Sequence, residues 1–232
     1  MMGAMRWTIP NILTVGRILA APGVALCYVL FDRPMADWIA LILFVGAALT
    51  DFFDGWLARK LNQITDIGKM LDPIADKAMV LIALAVLVAM VPPPHYARWF
   101  ELEYLRDWML VPIALIFLRE IMVSGLREYL GDVKLPVTNL AKWKTTVQMV
   151  AICAVIFSFA IFFSGAEPIF QAHGEYVDIS TIADAGGGIH SLAKITFPAS
   201  LALLYVAAIL TLITGWDYFR KGLAYIRMRE ES

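Results

Sequence analysis

Residues 36–58 read ADWIALILFVGAALTDFFDGWLA, and residues 69–91 read KMLDPIADKAMVLIALAVLVAMV. Each block is long enough to cross a hydrocarbon layer as a helix, and each carries two aspartates near one end. The first pair, Asp51 and Asp54, is three residues apart, and the second, Asp72 and Asp76, is four apart, so each pair shares one helical face. Only the short stretch from Arg59 to Gly68 joins the blocks, which forces an antiparallel hairpin. Asp51 lies about thirteen residues beyond Trp38, or ~20 Å along the axis, so the four acids belong near one boundary of the bilayer and away from its midplane.

The rest of the chain has the same character. It has 232 residues, 60% hydrophobic and 17% charged, a net charge of −1 and a mean hydropathy of +0.72. That excludes a disordered chain or a nucleic-acid coat and predicts a polytopic, all-helical membrane protein forming a single domain over 1–232. Six spans are expected, at roughly 11–31, 36–58, 69–91, 108–130, 143–164 and 195–215. Arg33, Arg98, Arg106 and Lys194 lie at one face. Arg6, Arg59, Lys60, Lys69, Arg127, Lys134, Lys142, Lys144, Arg220, Lys221, Arg227 and Arg229 collect at the other, which places both termini and the acids in the cytoplasm.

The connection 92–107, with three prolines and several aromatics, reads as an outer interfacial cap, and the glycine-rich, acidic stretch 165–194 as an external loop. Trp216, Phe219, Leu223 and Ile226 form one face of an expected short interfacial helix at the C-terminus, and a second is expected before the first span. Cys27 and Cys153 sit in apolar runs and read as packing residues; His95, His173 and His190 lack a second ligand at helical spacing. Neither a cleaved leader nor an internal repeat is expected.

Four carboxylates brought together at the edge of an apolar layer repel one another and need positive charge. Oxygen-only ligands suit two hard divalent cations, Mg²⁺ or Mn²⁺, a pairing that serves displacement at phosphorus. Gly55, Ala58 and Gly68 leave the acidic face without bulk, and Arg59 offers a two-point donor to phosphate. Taken singly, a cap, close helix packing or a snorkelling arginine accounts for each of these residues. Packing alone gives no reason to keep four acids together in apolar helices.

The pattern D-x-x-D-G-x-x-A-R, eight residues, G-x-x-x-D-x-x-x-D resembles that of the CDP-alcohol phosphotransferases, and every fixed position is met. The resemblance implies a six-helix membrane enzyme, commonly a homodimer, that transfers a substituted phosphate from a CDP-linked donor to an alcohol and releases CMP. It implies that Asp51, Asp54, Asp72 and Asp76 hold two metals and that Asp76 is the base that deprotonates the acceptor hydroxyl, a role that also needs a carboxylate within hydrogen-bond reach. Asp51, Gly55, Ala58, Arg59 and Gly68 would contact the CDP-lipid.

Three further blocks, residues 9–17 (IPNILTVGR), 119–128 (REIMVSGLRE) and 142–148 (KWKTTVQ), are similar to the phosphatidylglycerophosphate synthase branch of that family. That likeness implies CDP-diacylglycerol as donor and sn-glycerol 3-phosphate as acceptor, the step committed to phosphatidylglycerol in phospholipid biosynthesis, in a bacterial inner membrane. Thr14, Arg17, Arg119, Arg127, Lys142 and Lys144 would surround the acceptor, whose phosphate suits guanidinium forks. A pairing of Arg119 with Glu120 is disfavoured, since adjacent helix residues do not face each other. The 165–194 stretch is longer than this branch leads one to expect.

Two rivals stand beside this reading. One is a sister transferase using phosphatidylglycerol, as in a cardiolipin synthase, or serine or inositol phosphate, against which the 119–127 block argues. The other is a cation-coupled transporter, which calls for midplane acids and matching broken helices in two halves.

Overall fold

The computed structural model describes residues 8–61, 65–91, 105–131, 139–173 and 179–231. Among them every regular element is a helix: α1 (Ile9–Leu30), α2 (Met35–Leu61), α3 (Asp66–Ala89), α4 (Leu105–Leu130), α5 (Asn139–His173) and α6 (Ile179–Glu230). Four stretches, Ile9–Leu30, Asp107–Leu130, Trp143–Ala166 and Ser191–Arg229, are long and apolar enough to cross a bilayer. Val29, Ile42, Leu19 and Ile121 project outward at 64–77% exposure, as lipid-facing side chains do. These helices make the chain a transmembrane protein.

The chain forms two compact units. The first comprises Met1–Met90 and Val155–Ala193, the second Val91–Ala154 and Lys194–Ser232. In the first unit α1 packs against both α2 and α3. Ala36, Ala40, Phe44 and Ala47 repeat at helical spacing along the buried face of α2, so backbones approach closely where alanine stands. Ala21 and Val24 of α1 and Met79, Ala83, Leu84 and Leu87 of α3 complete this core. One end is tied by Arg33, which donates to the Met90 carbonyl at 2.7 Å, lies 4.1 Å over the Phe163 ring and pairs with the fully buried Asp37.

In the second unit Met109, Ile113, Ile116 and Val123 of α4 are buried, as are Ala151 and Ile152 of α5 and Leu204, Ala207 and Ala208 of α6. Tyr205 donates to the Trp108 carbonyl at 2.9 Å, tying α6 to α4.

Two expectations need correction. The stretch 165–194 is not one long loop: α5 runs on to His173 and α6 begins at Ile179, leaving only 174–178 outside the described residues. Ala183, Ala185, Ile189, Leu192 and Ala193 favour helix, and three glycines at ~1 kcal/mol each do not outweigh a helix of 52 residues. The C-terminal amphipathic segment is also not a separate short helix, because α6 continues unbroken through Trp216 to Glu230. Residues 1–7 and the 132–138 connection lie outside the described residues, as does the expected 92–107 cap up to residue 104, while Leu105, Arg106 and Asp107 open α4.

Candidate active site

The N-terminal turns of α1 and α3 are built by matching caps. Thr8 precedes α1 and accepts from the Asn11 amide at 3.5 Å, while Thr65 precedes α3 and accepts from the Gly68 amide at 3.1 Å. The Thr65 hydroxyl lies 2.9 Å from Asn11 Oδ1, so the two helix starts are joined to each other. A Cβ on Gly68 would fall 2.9 Å from Asn11 Oδ1 and 3.2 Å from Thr65 Oγ1. Glycine there thus serves helix approach, in addition to any contact with a substrate.

Asn11, Thr14 and Arg17 recur every three residues, and all three are buried, at 1–3% exposure. The face they form meets the acids. Arg17 Nη1 contacts Oδ1 of Asp51 and lies 2.9 Å from Oδ1 of Asp76, while its Nη2 lies 3.5 Å from Oδ1 of Asp72. The Thr14 hydroxyl is 2.9 Å from the same Asp72 oxygen and 3.0 Å from the Pro10 carbonyl. One guanidinium on α1 therefore gathers carboxylates from both α2 and α3. The acids keep 39–54% side-chain exposure, which leaves them open to a ligand.

Asp54, Gly55, Ala58 and Arg59 lie on the last turns of α2, with their side chains outside the described residues. The oxygen atoms converging on Arg17 are hard donors and fit a hard divalent cation. Among the described residues they do not form a closed metal cluster, and Arg17 stands between them.

The second unit holds Arg119, Arg127, Lys142 and Lys144. Glu120 Oε1 contacts Lys144 Nζ and accepts from Arg119 Nη1 at 3.0 Å. The adjacent pairing disfavoured on helix geometry is thus made by a long side chain, and Gly215 on α6 gives it room: a Cβ there would stand 2.7 Å from Arg119 Cγ. Lys144 is buried at 6% exposure, and Arg127 lies 5.3 Å over the Tyr218 ring. The side chain of Lys142 is outside the described residues. Beside Arg119 an apolar cavity of about 230 Å³ is lined by Leu118, Met122, Leu126, Trp216 and Phe219.

Sequence reasoning assigned no role to Asn11, Thr65, Glu120 or Gly215. The three-residue spacing of Asn11, Thr14 and Arg17 was a readable signal for the first; nothing local marks the others.

Residues 7–228 match the family model described as CDP-alcohol phosphatidyltransferase. A relative from Cereibacter sphaeroides is 47% identical over 237 residues, covering 96% of this chain and 99% of its own length. Another, from Rickettsia bellii, is 36% identical over 214 residues (91% and 93%), and one from Pectobacterium atrosepticum is 38% identical over 156 (66% and 78%). All three are named CDP-diacylglycerol–glycerol-3-phosphate 3-phosphatidyltransferase. With residues 7–228 matched by the family model and a 47% identical relative aligned over 96% of this chain, the chain belongs to the CDP-alcohol phosphatidyltransferase family and is a phosphatidyltransferase.

Proposed function

We propose that this enzyme transfers the phosphatidyl group of CDP-diacylglycerol to sn-glycerol 3-phosphate, giving phosphatidylglycerophosphate and CMP. The observation that carries the catalytic part is the convergence of Asp51, Asp72 and Asp76 on one buried arginine. The relatives' names support the two substrates. Asp51, Asp54, Asp72 and Asp76 would hold two divalent cations, Mg²⁺ or Mn²⁺, which neutralise charge on the pyrophosphate oxygens when bound.

Asp76 takes the proton of the acceptor hydroxyl, whose oxygen attacks the β-phosphorus in line. The bond from that phosphorus to the bridging oxygen breaks, and CMP leaves with the electron pair. Asp51, Gly55, Ala58, Arg59 and Gly68 receive the cytidine diphosphate. Arg119, Arg127, Lys142 and Lys144 receive the acceptor's phosphate, with Thr14 and Arg17 as further acceptor contacts.

The same reading puts six spans in a bacterial inner membrane, with both termini and the acids cytoplasmic, in a homodimer. The asymmetric distribution of lysine and arginine supports that orientation. Asp76→Asn tests the mechanism: the purified variant is expected to stay folded while CMP release stops. Undiminished release would remove Asp76 as the base.

A further inference from the structure

Arg119 and Lys144 share a single oxygen of Glu120, so three charged groups with a net positive charge meet at one point in the second unit. The same unit holds buried polar atoms with no protein hydrogen-bond partner: Nε of Arg119 itself, Nε2 of Gln148 and Oγ1 of Thr211. Gln148 is 2% exposed and Thr211 fully buried. Gln148 stands one turn beyond Lys144 on α5, and Thr211 one turn before Gly215 on α6, each on the same helical face as its neighbour. Two of the three atoms are N–H donors that cannot accept, and buried donors without acceptors are rare in folded proteins. The neighbouring cavity is apolar and offers them nothing. A ligand made of acceptor oxygens and carrying negative charge would satisfy both the donors and the excess positive charge.

We propose that Glu120 is a positioning residue that holds Arg119 and Lys144 ready for a phosphomonoester, that Gln148 is an additional contact to it, and that Gly215 is the clearance on which the Arg119 conformation depends. Glu120 does not itself face an anion. It pins two cations that would otherwise repel each other, leaving Arg119 Nε and Gln148 Nε2 to donate. This rests on the acceptor reading above and adds three residues to it.

The test measures CMP release by the full-length protein in detergent, with each substrate varied in turn, for Glu120→Gln, Glu120→Asp, Gln148→Leu and Gly215→Ala. Glu120→Gln is expected to raise KM for glycerol 3-phosphate by about tenfold or more, with KM for CDP-diacylglycerol held within about twofold, and Glu120→Asp to recover much of the loss. Gln148→Leu and Gly215→Ala should shift the same KM selectively, and Gln148→Leu should weaken inhibition by inorganic phosphate, which separates a phosphate contact from one to the glycerol. Equal changes in both KM values, or no change, in variants whose melting curves match the parent would overturn the inference. If Glu120→Gln does not fold, Gln148→Leu and Gly215→Ala decide on the same criterion. A parent enzyme that releases CMP with another acceptor and not with glycerol 3-phosphate would overturn the substrate reading as well.

Discussion

Replacing Arg17 with methionine keeps the aliphatic stem of a side chain that is 3% exposed and removes the charge on which Asp51, Asp72 and Asp76 converge. Each guanidinium–carboxylate contact is worth about 4 kcal/mol at 4 Å with an effective dielectric constant of 20. The acids are 39–54% exposed, so water screens them and brings each contact down to ~1 kcal/mol or less. Three such contacts, less the hydration the acids regain, come to about 2 kcal/mol. For a chain of this length that lowers the melting temperature by roughly 4–8 °C. The assay is thermal unfolding of the detergent-purified protein in EDTA and again with excess Mg²⁺. Arg17→Met should melt several degrees below the parent in EDTA and recover most of the difference with Mg²⁺, because the cation replaces the missing positive charge. An unchanged melting temperature in EDTA would show that Arg17 does not hold the three acids together.

Gly68→Ala places a methyl group 2.9 Å from Asn11 Oδ1 and disturbs the Thr65 cap, so a loss of ~1 kcal/mol and weaker CDP-lipid binding are expected from denaturant melts and substrate titration. Unaltered stability would mean that the two helix starts are not joined. Arg119→Lys keeps the charge and loses the fork, and should raise KM for glycerol 3-phosphate well above any effect on CDP-diacylglycerol; equal effects would take Arg119 out of the acceptor site. Arg33→Ala removes a guanidinium that bonds the Met90 carbonyl and leaves the buried Asp37 without its cation, so a loss of ~3 kcal/mol is expected by thermal melting, with both KM values unchanged in the folded fraction. A selective rise in one KM would contradict a purely structural role for that cluster. Chelation with EDTA should abolish CMP release, and Mg²⁺ or Mn²⁺ should restore it; full activity in EDTA would rule out the two-cation reading.

The acidic faces were legible because their information is local: acids at i,i+3 in one apolar block and at i,i+4 in the next each mark one helical face without any tertiary knowledge, while α1, through Arg17, is what joins Asp51 to Asp72 and Asp76. The stripe of Asn11, Thr14 and Arg17 was legible in principle, but its target was not, since a helical face does not say which helix it meets. Gly215 shows the limit most clearly. Its role is to leave space for a side chain 96 positions earlier in the chain, and no window around residue 215 contains Arg119. The 165–194 stretch failed for the opposite reason: glycines and acids were weighed as loop residues, while the alanines and isoleucines among them kept helix geometry. The Arg119–Glu120 pair failed because adjacency was judged from Cβ directions, and a long arginine stem is not bound by them.

The most direct measurement is CMP release by the purified protein given CDP-diacylglycerol and Mg²⁺, with glycerol 3-phosphate, serine, inositol phosphate and phosphatidylglycerol offered separately as acceptors. Release with glycerol 3-phosphate alone, matched one for one by phosphatidylglycerophosphate, is the expected result. Release with a different acceptor, and none with glycerol 3-phosphate, would contradict it.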